Sequence, residues 1–144
     1  MKETRFRNDR AAPIRKATIN VRNLRLRTFI GFNPEEREKM QDVVISIEIS
    51  YRLDPSALDD QVGGALNYKT ITKQVIEHVE SGRFLLLEKL VADVLNLCSQ
   101  APEIVHSRVT IDKPHALRFA DSVSLTLEYE AEAVSQLRHL EKVS

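Results

Sequence analysis

The chain has 144 residues, of which 42% are hydrophobic and 29% charged, and its 21 basic and 21 acidic side chains cancel. This length and composition predict one globular domain with a sizeable core, and the balanced charge argues against a nucleic-acid partner. No stretch reaches 18 consecutive apolar residues, so no membrane span is expected. The single cysteine, Cys98, continues an apolar helical stripe and is expected to be buried, which fits a reducing cytoplasm.

Residues 1–16 are predicted to be a basic, flexible leader, because residues 1–28 hold nine Lys or Arg against two acidic side chains. Two strands follow, at 18–27 and 43–51, where apolar and polar residues alternate. The alternation in the first strand shifts once between Val21 and Leu24, which predicts a bulge near Asn23. The connection 28–41 contains Gly31 and Pro34 and is long enough to carry function.

The middle of the chain changes to a helical period. Apolar residues recur every four positions up to Gly82, which suits the end of a helix, and a second apolar stripe begins at Leu86 and ends before Pro102. Glu88 therefore falls in the first turn of the second helix, where free N–H groups and the helix dipole favour a carboxylate. Such an acid often serves helix stability alone, and that alternative stays open for Glu88 taken by itself.

Alternation returns at 105–112 and 122–129, so the element order is ββααββ. This order predicts an α+β domain over residues 17–130, with an antiparallel sheet and both helices on one face. The free edges of a four-stranded sheet predict pairing between subunits in a closed homo-oligomer. The tail, residues 131–144, is predicted to be a short appended helix.

The residues available for chemistry point to proton transfer. The four histidines are 28, 9 and 24 positions apart, which is not a metal-ligand spacing, and no glycine-rich phosphate loop is present, so neither metal nor cofactor is predicted. Four residues lie at predicted ends of elements, where loops converge: Glu36, Tyr68, Glu88 and Lys113. Each could instead be an ordinary surface residue.

Several short segments together carry a family resemblance. In chain order they are Ile30-Gly31, Glu36, Leu66-Asn67-Tyr68, His78-Val79-Glu80, Arg83-Phe84-Leu85-Leu86-Leu87-Glu88 and Lys113-Pro114. This combination resembles the dihydroneopterin aldolase family. The resemblance implies the tunnelling fold (T-fold), in which ββααββ subunits form barrel-like rings with active sites between subunits.

The resemblance also implies a role for each matched residue. Glu88, with Leu87, would bind the 2-amino and ring N–H edge of a reduced pterin. Lys113, Tyr68 and Glu36 would handle protons, and Tyr68 could serve a neighbouring subunit of a tetramer or octamer. The reaction needs no cofactor, because the C6=N5 imine of a dihydropterin accepts the electrons of the broken C1′–C2′ bond.

Further details resemble the branch that epimerises dihydroneopterin triphosphate at C2′, namely residues 24–31, Asn67 and residues 115–124. A triphosphate requires cations, and Arg25, Arg27 and Arg118 are the candidates, although an ordinary basic strand face is the alternative. His115 is either a second proton carrier or a polar turn residue. Two other functions stay open: an aldolase that releases 6-hydroxymethyl-7,8-dihydropterin and glycolaldehyde, and a non-catalytic pterin-binding subunit.

Overall fold

The computed structural model describes residues 16–132, which form one curled five-stranded sheet with helices on one face. The elements are β1 (Lys16–Ile30), β2 (Gln41–Arg52), α1 (Pro55–Leu58), a 3-10 turn (Val62–Gly64), α2 (Tyr68–Ser81), β3 (Arg83–Phe84), α3 (Leu87–Cys98), β4 (Ile104–Pro114) and β5 (Ser122–Glu130). The strand order is β3-β1-β2-β4-β5, antiparallel except for the parallel pair of β1 and β3. The predicted α+β class is confirmed.

Three details differ from the sequence prediction. The sheet has a fifth strand, β3, and the connection between β2 and α2 contains the short helix α1 and a 3-10 turn. None of these is long enough to display a hydrophobic period. The first loop is also shorter than predicted, because β1 continues to Ile30 and β2 begins at Gln41. The leader and the tail lie outside the described residues, apart from residue 16 and residues 131 and 132.

The predicted bulge in β1 is confirmed. The pairing of β1 with β2 shifts between Val21 and Leu24, and Asn23 adopts a φ of 56°, a left-handed conformation that asparagine tolerates better than most residues. The extra residue reverses the alternation. Leu24 therefore packs against the core, and Arg25 and Arg27 are exposed on the opposite face of the sheet.

The core lies between the sheet and helices α2 and α3. Alternate residues of β2 form its centre, and each is at most 2% exposed: Val43, Ile45, Ile47 and Ile49. Helix α2 contributes Val75 and Val79 from one face, and α3 contributes five buried residues. One of these is Cys98, and burial raises the pKa of its thiol to about 12, as expected for a core cysteine rather than a nucleophile.

Among residues 16–132, no helix covers the opposite face of the sheet, which is polar. Hydroxyl pairs bridge neighbouring strands there, with 2.8 Å between the oxygens of Thr18 and Ser50 and 2.7 Å between those of Thr110 and Thr126. Such pairs stabilise adjacent strands while keeping the face compatible with water. Across residues 16–132, no helix combines the length and apolar character that a membrane crossing requires.

Candidate active site

Glu36 and Lys113 form an ion pair at the end of the sheet where β1 and β4 finish. Their side chains are only 21% and 14% exposed, so the pair is held largely away from solvent. The hydrogen bond from the Lys113 ammonium is the main reason why the pKa of Glu36 lies below its ordinary value. Two residues that lie 77 positions apart in the chain thus supply a carboxylate and an ammonium in direct contact.

Neighbouring polar groups fix the carboxylate of Glu36. The Glu36 N–H donates to Asn33 Oδ1 (2.9 Å), and Gln41 Nε2 donates to the Ile30 carbonyl (2.5 Å) and contacts Glu36 Oε2 at 3.4 Å. Gln41 was not among the sequence candidates. The sequence did contain a signal for Gln41, because it is a polar residue on the same strand face as the core residue Val43.

Gly31 lets Glu36 approach the backbone. Its φ is 126°, a region that side chains rarely allow, and its N–H donates to the Phe84 carbonyl (2.9 Å). A Cβ at this position would lie 2.2 Å from Glu36 Cδ, well inside van der Waals contact. Glycine is therefore required for the observed position of the carboxylate.

The same contact brings the start of α3 to the site. Ile30 pairs with Phe84, and Glu88 follows four residues later in the first turn of α3, as predicted. The N-cap residue Leu86 offers no side-chain cap, so the N–H groups of Leu87 and Glu88 are left for another acceptor. Glu88 itself is exposed.

Exposed apolar side chains lie in the two segments that meet where β1 pairs with β3. Leu85 and Leu86, directly before α3, are 56% and 50% exposed, and Phe32, directly after Gly31, is 69% exposed. A carboxylate, uncapped N–H groups and apolar surface together suit a flat heterocycle with donor and acceptor atoms along one edge.

Tyr68 is not part of this cluster within one subunit. It begins α2, is 48% exposed and lines an apolar groove of about 820 Å³ together with Ile19, Val21 and Ile76. Val21 lies ten residues before Gly31 on β1, a distance of about 30 Å along a strand. Tyr68 and Lys113 therefore lie far apart within one chain.

Two of the three candidate arginines lie on the helix-free face. Arg25, Arg27 and His115 line a cavity of about 330 Å³ beside Pro114, and the φ of His115 is 63°. Arg27 is tied to the Asp42 carboxylate (3.5 Å) and the Met40 carbonyl (3.0 Å). Within residues 16–132, Arg25 has no hydrogen-bond or ion-pair partner.

The third arginine, Arg118, lies apart from these two in the β4–β5 connection. Its guanidinium lies 5.4 Å from the ring centre of Phe119, which is 96% exposed. Lys113 shares the inner strand face with the buried Ile111, so the arginine-lined cavity and the Glu36–Lys113 pair lie on opposite sides of the end of β4.

The sheet and its two helices define a T-fold protein. The solved structure of Escherichia coli dihydroneopterin aldolase in complex with neopterin superposes with a TM-score of 0.73 and 28% identity, covering 78% of this chain and 98% of that one. The sequence profile of the FolB dihydroneopterin aldolase family matches residues 19–128. The chain belongs to the dihydroneopterin aldolase family.

Curated relatives fall into both branches of this family. The dihydroneopterin triphosphate 2′-epimerase of Escherichia coli is 49% identical over 114 residues, which cover 79% of this chain and 95% of the relative. The epimerase of Pseudomonas aeruginosa is 49% identical over 111 residues, with coverages of 77% and 90%. The dihydroneopterin aldolase of Escherichia coli is 30% identical over 110 residues, with coverages of 76% and 90%.

Proposed function

We propose that this protein is a cofactor-independent pterin epimerase that converts 7,8-dihydroneopterin triphosphate into dihydromonapterin triphosphate. The observation that carries the proposal is the sequestered Glu36–Lys113 pair at the sheet end to which β3 brings the first turn of α3, with Glu88. The higher identity to the epimerases than to the aldolase supports this branch.

Glu88 and Leu87 are the proposed anchors of the pterin ring. The Glu88 carboxylate accepts from the 2-amino group and the neighbouring ring N–H, and the uncapped N–H of Leu87 donates to the ring's carbonyl oxygen. Each charged hydrogen bond contributes about 1.5–3 kcal/mol, and two parallel bonds also fix the orientation of the ring.

The reaction is a retro-aldol cleavage followed by re-addition. Loss of the 2′-hydroxyl proton breaks the C1′–C2′ bond, and its electrons move into the C6=N5 imine, so that N5 gains a proton and an enamine forms between C6 and C1′. The retained aldehyde carries the triphosphate and rotates so that its other face points toward C1′. C1′ then attacks C2′, N5 loses its proton, and the alkoxide is reprotonated with inverted configuration.

Lys113 is the proposed proton carrier in both directions: its ammonium gives a proton to N5, and the resulting amine takes the 2′-hydroxyl proton, directly or through a water molecule. Re-addition reverses both transfers. Glu36 orients the Lys113 ammonium and accepts from it, which is consistent with the hydrogen bond between them. Tyr68 is proposed to deliver or accept a proton at the side-chain hydroxyls. Because Tyr68 lies far from Lys113 in one chain, it has to come from a second subunit.

A homo-oligomer is therefore part of the proposal. The sheet ends in two open edges, β3 and β5, and the apolar groove beside Tyr68 lies at the other end of the subunit from Glu88. A head-to-tail ring, either a tetramer or a pair of stacked tetramers, would bring the Tyr68 groove of one copy to the Glu88 end of the next.

We further propose that Arg25, Arg27, Arg118 and His115 hold the triphosphate. The cavity beside Pro114 offers the Arg25 guanidinium, which has no partner within residues 16–132, and the partly engaged guanidinium of Arg27. Guanidinium groups bind phosphate bidentately. A triphosphate would reach this cavity by passing around the end of β4. Because His115 lines this cavity, on the other side of β4 from Lys113, we propose it for triphosphate binding rather than for proton transfer.

The decisive experiment is incubation with dihydroneopterin triphosphate and chiral analysis of the product. We expect dihydromonapterin triphosphate, and 6-hydroxymethyldihydropterin as the sole product would assign the protein to the aldolases instead. Lys113→Met should abolish turnover while neopterin still binds, with the exposed Lys39→Met as the matched control. Full turnover by Lys113→Met would contradict the assigned proton carrier.

The aldolase is the second candidate, because one relative with that name is 30% identical. The third is a non-catalytic pterin-binding subunit, which would bind neopterin through Glu88 but show no turnover of either substrate. Glu88→Gln should weaken neopterin binding by about tenfold or more, since it removes the charge from two hydrogen bonds.

A further inference from the structure

His78 contacts the chain on both sides of Glu88. Its ring meets the edge of Phe84, with 5.7 Å between ring centres and 62° between ring planes, and its Nε2 is hydrogen-bonded to Asp93 Oδ2 at 2.8 Å. Phe84 lies four residues before Glu88 and Asp93 lies five residues after it. We call the set His78, Phe84, Asp93 and Lys89 the His78 clasp.

The start of α3, which lies between the ends of this clasp, is less buried than the rest of the helix. Leu85 and Leu86 are at least half exposed, α3 begins without a side-chain cap, and Leu90 is the first fully buried residue of that helix. The first turn, which presents Glu88, therefore follows a two-residue strand, and only the partly buried Leu87 packs against the core before Leu90. Uncapped first turns fray unless other contacts hold them.

Asp93 is the centre of the clasp. Its side chain is 17% exposed, and its second oxygen accepts from Lys89 Nζ at 2.9 Å across one helical turn. Burial alone would raise the pKa of Asp93, but the hydrogen bonds from Lys89 and His78 outweigh it and leave that pKa lowered. One ionised carboxylate thus joins the first turn of α3 to the last turn of α2.

Lys89 explains why the first turn of α3 needs the His78 clasp. A cation in the first turn of a helix opposes the helix dipole, so Lys89 weakens the turn that carries Glu88 unless an anion compensates for it. Asp93 supplies that anion on the same helix, and His78 anchors Asp93 to α2.

We propose that Asp93 and His78 are positioning residues for pterin recognition: they hold the first turn of α3 so that Glu88 and the Leu87 N–H meet the ring edge together. This inference rests on the proposed function, because it concerns how the same site binds its ring. Neither residue touches the substrate, and both act through the placement of Glu88.

The test measures neopterin binding by calorimetry, and kcat and KM for dihydroneopterin triphosphate, in Asp93→Ala, Asp93→Asn, His78→Phe and the control Asn96→Ala. Asn96 is exposed on the same helix, so its replacement should leave every value unchanged. Asp93→Ala should weaken neopterin binding and raise KM by about tenfold, with kcat within about twofold of the native value. Asp93→Asn keeps the shape of the side chain but loses the charge and one acceptor oxygen, so it should restore only part of the affinity lost in Asp93→Ala.

His78→Phe keeps the ring beside Phe84 and removes only the hydrogen bond to Asp93. It should weaken neopterin binding by about threefold or more, and it serves as the test should Asp93→Ala fail to fold. The inference is overturned by variants that unfold at lower temperature but bind neopterin with native affinity, or that lose kcat with KM unchanged. Failure of the native protein itself to bind neopterin would instead refute the proposed function.

Discussion

Replacing Gly31 by alanine should displace Glu36 from Lys113. The added Cβ would lie 2.2 Å from Glu36 Cδ and 2.3 and 2.4 Å from its two carboxylate oxygens. The carboxylate has to retreat by about 1.2 Å to reach an ordinary contact distance, and it then loses its present geometry with the Lys113 ammonium. The backbone adds a second penalty, since the φ of 126° at Gly31 is unfavourable for alanine.

The two penalties can be given magnitudes. The backbone conformation costs about 1–3 kcal/mol in an alanine, and the stiffer unfolded chain returns about 0.4–1 kcal/mol. Loss of the charged hydrogen bond between Glu36 and Lys113 costs about 1.5–3 kcal/mol more. We therefore expect Gly31→Ala to lower the free energy of unfolding by about 1.5–5.5 kcal/mol and to remove epimerase activity almost completely.

A double-mutant cycle with Glu36→Ala separates the penalties. Without the Glu36 side chain nothing remains for the Cβ to displace, so only the backbone penalty should be left and the coupling energy should be about 1.5–3 kcal/mol. Urea unfolding followed by circular dichroism at one fixed protein concentration gives the four free energies. Equal destabilisation by Gly31→Ala in both backgrounds would refute the role assigned to this close approach.

Three further predictions follow from single contacts. Thr28→Val removes the buried hydrogen bond from the Thr28 hydroxyl to the Val79 carbonyl (2.6 Å) and should cost about 1–2 kcal/mol in urea unfolding. Because the Lys113 ammonium lowers the pKa of Glu36, this carboxyl stabilises the fold above its unfolded pKa, and that contribution is lost as the pH falls through the lower folded value. Glu36→Gln should therefore flatten the stability curve in the acid range, as measured by thermal unfolding from pH 3 to 7. Ser107→Ala removes a fully buried hydroxyl without a hydrogen-bond partner among residues 16–132 and should leave stability unchanged or raise it by up to about 1 kcal/mol.

Each of these three predictions has an outcome that would contradict it, and the first two have a matched control variant. Thr72→Val removes an exposed hydroxyl bond within α2 and should cost less than about 0.5 kcal/mol, and an equal loss in both threonine variants would contradict the assigned contact. Glu35→Gln changes the neighbouring exposed acid and should preserve the native acid profile, so an identical effect of both glutamines would exclude a special role for Glu36. A clear destabilisation by Ser107→Ala would mean that the Ser107 hydroxyl forms a hydrogen bond, which would contradict the third prediction.

Periodicity in the sequence was enough to predict the main architecture. The alternation in β2 and the four-residue repeat of α2 arise from burial on one face, which is a local property of the chain. The shift between Val21 and Leu24 predicted the bulge for the same reason. Strand β3 could not be predicted in this way, because Arg83 and Phe84 are a strand only through their pairing with the end of β1.

The candidate site depended more on resemblance than on pattern. Nothing local in the sequence indicates that Glu36 and Lys113 meet, since their contact depends on the pairing of three strands and on the absence of a side chain at Gly31. The same holds for His78 and Asp93, which are brought together by the packing of two helices. Element ends indicated where chemistry could occur, and only the tertiary structure indicates which of those ends adjoin.

The bulge at Asn23 has a consequence for how the chain tolerates change. Before the bulge the odd-numbered residues of β1 face the core, and after it the even-numbered residues do. Deletion of Asn23 would remove the bulge and leave Val21, Leu24 and Leu26 in one regular alternation that faces the core. Deletion of Arg25 would instead turn Leu26 outward and Arg27 inward. A change of one residue in length is therefore tolerated at the bulge, and related sequences should differ in the rest of β1 by substitution rather than by length.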